Sequence, residues 1–410
     1  VKVFAQDGRL LRRIGARGGR REGRFNPLAM SEPIAVAIDA DDQLWVAEHD
    51  SRPKRVGVWS RDGRLIRDFI GPPGYGGGGA LLAEPSPGQE DGATGRLTGF
   101  YRGMRFSVPE WPEAATLEAV MFRPEAHGDL PYPVNGDALP DHPVRHGGAL
   151  YLVHDNGWAV PAVFIGEADG DRLAPRVIFG GIGTLRKAWQ RLHPAYVEGL
   201  GKEGVFLWQD ANGDGTAEPG EVAVQPDWRA GAMWAMRAWP ALDLLARETN
   251  ALVVLKPLPG EPLRYSLDAA VRIPLPEAAL RQGITAIAPD RDGNYILNCG
   301  GGGNQGSAEN VLLSLAPDGR VRWTYPNPFP ANWHNSPMPR DGDIQHTLNV
   351  EGFASAGGAI GDVFQLNGNK GTRYLFTHDG LFVAELFGDM RRNPMQQNLL
   401  QAERGLRLDR

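Results

Sequence analysis

Val56-Gly-Val-Trp-Ser-Arg-Asp-Gly-Arg-Leu-Ile-Arg-Asp-Phe-Ile-Gly71 alternates apolar and polar residues on either side of Asp62-Gly63. A period of two sends successive side chains to opposite faces of a strand, and Asp-Gly supplies the left-handed backbone of a two-residue hairpin turn. The pattern also occurs in Val1-Lys-Val-Phe-Ala-Gln-Asp-Gly-Arg-Leu-Leu-Arg-Arg-Ile-Gly15, with Asp7-Gly8 at the turn and the same closing Ile-Gly. Ahead of the second copy, Pro33-Ile-Ala-Val-Ala-Ile-Asp39 and Leu44-Trp-Val-Ala-Glu48 read as two further strands. One unit is therefore four strands in about forty residues, the size of a β-propeller blade.

The order returns at Ile284-Thr-Ala-Ile-Ala-Pro-Asp290, Tyr295-Ile-Leu-Asn298, Val311-Leu-Leu-Ser-Leu315 and Val321-Arg-Trp-Thr-Tyr325, with Asp292-Gly293 and Asp318-Gly319 at turns. Partial copies lie at 361–387, where Asp379-Gly380 splits the last two strands, and at 149–179. Repetition at this spacing predicts an all-β chain, a β-propeller of about seven blades, with six or eight possible. We expect a single propeller domain over 1–390, followed by a tail over 391–410 that is helical or leads into a further segment. Long connections at 72–95, 124–148 and 326–343 are where binding loops are expected. Short helices are expected within 182–200, 239–248 and 276–282, and over 391–404.

The chain has 410 residues, with 54 glycines and 33 prolines that punctuate apolar runs without forming a low-complexity tract. A formal net charge of −6 offers no overall positive field for nucleic acid, and the arginines of 9–24 read as a solvated loop. No apolar run approaches the roughly 20 residues of a membrane helix, so membrane insertion is not expected. The single cysteine, Cys299, excludes an intramolecular disulfide framework and a cysteine-rich metal site. The chain begins at Val1, within a strand pattern, which reads as a processed protein or part of a longer one.

Between two apolar runs lies Val205-Phe-Leu-Trp-Gln-Asp-Ala-Asn-Gly-Asp-Gly-Thr-Ala-Glu-Pro-Gly-Glu-Val-Ala-Val224. Asp210, Asn212, Asp214, Thr216, Glu218 and Glu221 fall at positions 1, 3, 5, 7, 9 and 12 of the EF-hand calcium loop, with Gly215 at the sharp-turn position 6. Ca2+ takes six to eight oxygens, and this spacing offers side-chain oxygens, the Thr216 carbonyl and a bidentate Glu221. The flanks read as strands, so the expected element is a structural calcium clip in a β-hairpin. The alternative is a polar turn without metal.

The order of Pro33 to Asp39, Leu44 to Glu48 and Val56 to Gly71 resembles the NHL-repeat type of β-propeller, whose blades carry Pro-x-x-Val-Ala-Val-Asp, Leu-Tyr-Val-Ala-Asp and Val-x-Val-Phe-x-x-Asp-Gly. The resemblance is close over 1–71 and 284–390 and diffuse between them. Together with the calcium hairpin it suggests the large bacterial propellers of this group, many of them exported. It implies an extracytoplasmic, periplasmic or secreted location and leaves the activity open, since propellers host binding and several chemistries.

The segment Tyr325-Pro-Asn-Pro-Phe-Pro-Ala-Asn-Trp-His-Asn-Ser-Pro-Met-Pro-Arg340, with His346 beyond it, is dense in aromatic, amide and imidazole groups. Trp333 suits stacking on a sugar, and Asn332 and Asn335 suit hydroxyl recognition. His334 or His346 with Arg340 and Tyr325 offers a base and a charge stabiliser, as polysaccharide cleavage by a lyase or hydrolase requires. The competing reading is a proline-braced loop packing on itself. The expectation is a calcium-stabilised propeller that binds a ligand or polymer, carbohydrate first, with an enzyme or a structural subunit with protein partners as alternatives.

Overall fold

The computed structural model describes residues 1–50, 52–71, 82–85, 97–109, 113–132, 139–154, 162–230, 235–236, 238, 240–260, 262–300, 310–327, 338, 340–344, 347–368 and 372–387. Over these residues the chain is nearly all β, with seven sheets and three short α-helices, Ile182–Trp189, Pro194–Glu198 and Glu277–Gln282. It divides into two compact units, Val1–His154 with Ile165–Pro175, and Asp155–Phe164 with Arg176–Arg410. Among the described residues, no helix is long and apolar enough to cross a membrane.

In the first unit, Pro33–Ile38, Leu44–Glu48, Lys54–Trp59 and Leu65–Gly71 form a four-stranded antiparallel sheet in chain order, the meander of a propeller blade. Alternation in Leu44–Glu48 buries Leu44, Val46 and Glu48 on one face, and Leu44 and Val46 pack with Ile14, Met30 and Trp59. Glu48 sits inside an ionic network. It accepts from Arg20 at 2.6 Å and Arg55 at 3.2 Å, while Arg55 also holds Asp68 at 2.9 Å. Asp50 pairs with Arg123 at 2.8 Å.

Arg20 is thus no part of a solvated loop: it is buried, and desolvation pulls its pKa down. The partners that bury it lie 28 or more residues away, beyond the reach of local charge patterning. The edge strand Pro33–Ile38 is exposed along its whole length. Lys2–Phe4 pairs with Leu10–Arg13 as the first hairpin motif predicts.

One sheet of this unit was not anticipated: Leu97–Tyr101, Met104–Val108 and Thr116–Val120 form its centre, with Leu82–Pro85 at one edge and Gly23–Arg24 at the other. Leu82–Pro85 therefore interrupts the long connection expected at 72–95. Likewise His142–His146 lies in the expected loop 124–148 and pairs with Ala149–His154 around Gly147-Gly148, both left-handed.

In the second unit, Ile284–Pro289, Tyr295–Cys299, Val311–Leu315 and Val321–Pro326 form the second antiparallel meander that the repeat predicts. Thr347–Ser355, Asp362–Gly368, Arg373–Thr377 and Phe382–Leu386 form a third. Ala288, Ile296, Leu312, Phe364, Leu366, Tyr374 and Phe376 pack these two sheets into one core. Fully burying each large apolar side chain contributes about 1.5–3 kcal/mol, so this contact is a principal source of the unit's stability. The helix expected within 239–248 is instead the strand Leu244–Arg247, which pairs with Ala251–Leu255 across a tight turn and with it feeds a second core around Leu245, Val254 and Ile273. Helices do form within 182–200 and 276–282, whereas 391–404 lies outside the described residues.

Candidate functional site

Asp210–Glu221 connects the strand Val205–Gln209 to Val222–Gln225, so the acidic loop is a β-hairpin connection as its apolar flanks predict. Gly213 and Gly215 take left-handed backbone, φ 80° and 72°, which side chains with a Cβ rarely adopt. Oδ1 of Asp210 accepts the N–H of Gly213 at 2.9 Å, that of Asn212 the N–H of Asp214 at 2.9 Å, and that of Asp214 the N–H of Thr216 at 2.7 Å. Three successive Asx-type turns coil the loop. Glu221 ties its ends together, accepting from Ala211 N–H at 2.9 Å and Trp208 Nε1 at 3.0 Å.

The donor set is all oxygen, which fits a hard cation. One departure concerns Asp210, whose second oxygen accepts from Arg176 at 2.9 Å. Among the described residues, the carboxylates of this loop do not gather three ligand atoms within 4.8 Å.

The other predicted site divides. His334, His346, Trp333, Asn332 and Asn335 lie outside the described residues. Tyr325 and Arg340 meet at one turn. The Tyr325 hydroxyl donates to the Gly342 carbonyl at 2.5 Å, and its ring stands edge-on to Phe376, 4.9 Å between centroids. Burial, reinforced by Asp343, raises its pKa. Arg340 is held at its backbone by Asp343, and its side chain is 91% exposed.

Sequence reasoning missed a buried cluster of amides and hydroxyls at the root of that segment. Asn298 is the penultimate residue of one strand, Asn310 precedes the next, Asn327 follows the third and Thr347 opens the following sheet. Strand pairing Cys299↔Val311 and Val311↔Pro326 places the first three at the same end of the meander. Asn298 Nδ2 donates to the Thr347 carbonyl at 2.8 Å, Asn327 Nδ2 donates to Asn298 Oδ1 at 2.7 Å and to the Thr347 hydroxyl, and the Thr285 hydroxyl donates to the Asn298 carbonyl at 3.1 Å.

Asn310 and Asn327 are buried, and among the described residues the Oδ1 of each has no hydrogen-bond partner. A buried acceptor without a partner costs about 1–3 kcal/mol. Gly300 holds φ 143°, and a Cβ there would stand 2.1 Å from Asn310 Cγ, so glycine is required for the amide to seat. The signal in the sequence was the asparagine at each apolar strand's end.

Other residues of types that carry chemistry are structural here. Burial pushes the Cys299 thiol up to about 12, which suits a small core residue and not a nucleophile. Trp228 is buried, with Nε1 on Glu248 at 3.0 Å, and offers no stacking surface. His142 and His146 open and close one strand, about 13 Å apart at strand rise, too far to share an ion.

A comparison of the sequence with protein-family models finds no match, and neither does one with curated proteins. Among solved structures the chain is similar to a streptogramin B lyase, at 12% identity over 89% of this chain and 85% of that one, with a TM-score of 0.30. It is similar to BamB from Moraxella catarrhalis, at 10% identity over 90% of each chain and a TM-score of 0.26. Apo AztD from Citrobacter koseri matches at 12% identity over 84% of this chain and 81% of that one, with a TM-score of 0.28. At such scores they assign the chain to no family, and neither fold nor function is inferred from them.

Proposed function

We propose that this chain is a calcium-braced β-propeller of NHL type that acts outside the cytoplasm as a binding module for a neutral, hydroxyl-rich ligand, carbohydrate first. The carrying observation is the buried cluster at Asn298, Asn310, Asn327 and Thr347, in which the Oδ1 atoms of Asn310 and Asn327 have no partner among the described residues. Amides and hydroxyls donate and accept without changing charge, which suits hydroxyl recognition better than proton transfer. Segments 301–309 and 328–346 leave from this end of the strands, and the second carries Trp333, Asn332 and Asn335, the groups assigned to stacking and hydroxyl binding.

Polysaccharide cleavage by His334 or His346 with Arg340 and Tyr325 is the rival. Two of its four residues count against it: the Tyr325 hydroxyl is committed to Gly342, and the Arg340 side chain faces solvent. Binding of a panel of neutral and acidic oligosaccharides, followed by calorimetry, separates the two. We expect affinity for a neutral oligosaccharide without turnover, lost in Asn327→Ala. Turnover of an acidic polysaccharide that vanishes in His334→Ala would replace this reading with the enzymatic one.

For the metal, Asp210, Asn212, Asp214, Thr216, Glu218 and Glu221 would hold Ca2+ as a brace on the hairpin. Calcium at about one hundred times its Kd stabilises the folded state by about 2.7 kcal/mol, so chelation should lower Tm. Asp214→Ala removes one ligand without touching the Arg176–Asp210 pair, and should abolish that sensitivity. An unchanged melt on chelation of the wild type would remove the metal from the account.

A further inference from the structure

At the opposite end of the same meander from the amide cluster, the turn after Ile284–Pro289 meets the turn after Arg373–Thr377. Asp290 is buried and organises its turn: its Oδ1 accepts the N–H of Asp292 at 2.9 Å and of Asn294 at 2.8 Å. Its Oδ2 accepts Asn294 Nδ2 at 3.0 Å and stands 3.7 Å from Arg322. Asp292 is 63% exposed, and its Oδ2 lies 3.7 Å from His378 Nδ1. One ligand atom from each of Asp290, Asp292 and His378 lies within 4.8 Å of the other two.

The imidazole is the unusual member. His378 is only 7% exposed, yet among the described residues neither ring nitrogen has a hydrogen-bond partner. Its backbone is held on both sides, the carbonyl accepting from Trp323 Nε1 at 2.9 Å and the N–H donating to the Asp362 backbone carbonyl at 3.2 Å. Phe353 stands edge-on to the ring, 5.6 Å between centroids, and Phe364 packs tilted at 6.3 Å. The ring is thus seated firmly, buried, beside two carboxylates, with both polar atoms unused. A neutral imidazole needs an acceptor for one nitrogen and a donor or a cation for the other.

We infer that Asp290, Asp292 and His378 form a binding site for a divalent transition-metal ion, zinc being the ion whose ligand preferences fit best. Nitrogen and carboxylate oxygen bind zinc at about 2.0–2.2 Å, which sets neighbouring ligand atoms about 3.4 Å apart in a tetrahedron. The observed 3.7 Å between Asp292 and His378 needs only a small adjustment. Calcium and magnesium prefer oxygen alone, so the imidazole selects against them. Asn294 and the two backbone N–H groups orient Asp290 as outer-shell partners, and exposed Asp292 gives the ion its way in and leaves a position for water. Arg322 reduces the charge at Asp290 and so tempers affinity without filling the site. This site is independent of the proposed calcium hairpin and of the ligand cluster.

Titration of the chelator-stripped whole chain with zinc chloride tests it. We expect one site per chain by calorimetry, a zinc-dependent rise in Tm, and visible absorption on substitution with Co2+. His378→Gln should weaken zinc by about tenfold or more. Asp292→Ala, an exposed turn position, should do the same without threatening the fold, and Asp214→Ala in the other loop should leave zinc binding unchanged. Absence of a zinc-dependent shift in the wild type, or zinc affinity in Asp292→Ala and His378→Gln equal to that of the wild type, would overturn the assignment.

Discussion

The meander from Pro33 to Gly71 and that from Ile284 to Pro326 carry one strand pattern and make opposite use of it. In the first, the opening strand is exposed at every residue, with Ile34 at 67% and Ile38 at 66%; in the second, Ile284–Pro289 is buried throughout. Register makes the comparison position by position. Pro33 pairs with Glu48 and Glu48 with Arg55; Ile284 pairs with Cys299 and Cys299 with Val311. The same place in the blade therefore holds a buried ionic network in one case and an apolar core in the other.

The next residue differs as well: exposed His49 in the first meander, and in the second Gly300, against which Asn310 seats. At the far turns, Asp39 Oδ2 accepts Trp45 Nε1 at 2.7 Å, whereas Asp290 Oδ2 faces Asn294 and Arg322 in a cluster with Asp292 and His378. Strand patterning specifies the blade; what covers it and what its ends can bind are set by residues distant in sequence.

The sharpest test is Glu48→Ala, which takes from buried Arg20 its 2.6 Å partner and leaves Arg55 with Asp68 alone, so that the buried charges outnumber their counter-charges. We expect a loss of about 3–5 kcal/mol in urea unfolding. A loss below about 1 kcal/mol would mean that the network is solvated after all, and the two positions are not in contrast. Gly300→Ala comes next, because its Cβ meets Asn310 and its backbone is left-handed; about 1–3 kcal/mol should be lost, together with ligand affinity. The matching change at exposed His49 should be silent in both readouts.

The smallest effect is at Asp39. The hydrogen bond from Trp45, with that from Gln43 N–H, holds its carboxyl below the ordinary 3.8. A carboxylate favoured in the folded state adds stability above that value, lost as pH falls through the lowered one. The stability difference between wild type and Asp39→Asn should therefore shrink towards zero in acid. A difference that grows in acid would reverse the assignment.

Turn chemistry was legible because it is local. Gly8, Gly63, Gly293, Gly319 and Gly380 all take positive φ, as the Asp-Gly pairs predict. Arg102 and Gly103, at φ 51° and 73°, turn Tyr101 back to Met104 with no Asp-Gly to announce them, and that sheet escaped notice. Leu244–Arg247 misled because its residues suit a helix or a strand, and pairing with Ala251–Leu255 decides between them. Long-range partners made the candidate sites hardest to read. Asn298, Asn327 and Thr347 are 20 to 49 residues apart, and His378 reaches Asp292 from another sheet, so neither cluster has a spacing to recognise.

Hydrogen–deuterium exchange with and without a bound neutral oligosaccharide tests the central claim most directly, since it reads both meanders in one sample. The account predicts protection at 298–300, 310 and 325–327, with none at the corresponding 48–55. Equal protection of both segments, or protection that spares Asn310 and Asn327, would contradict it.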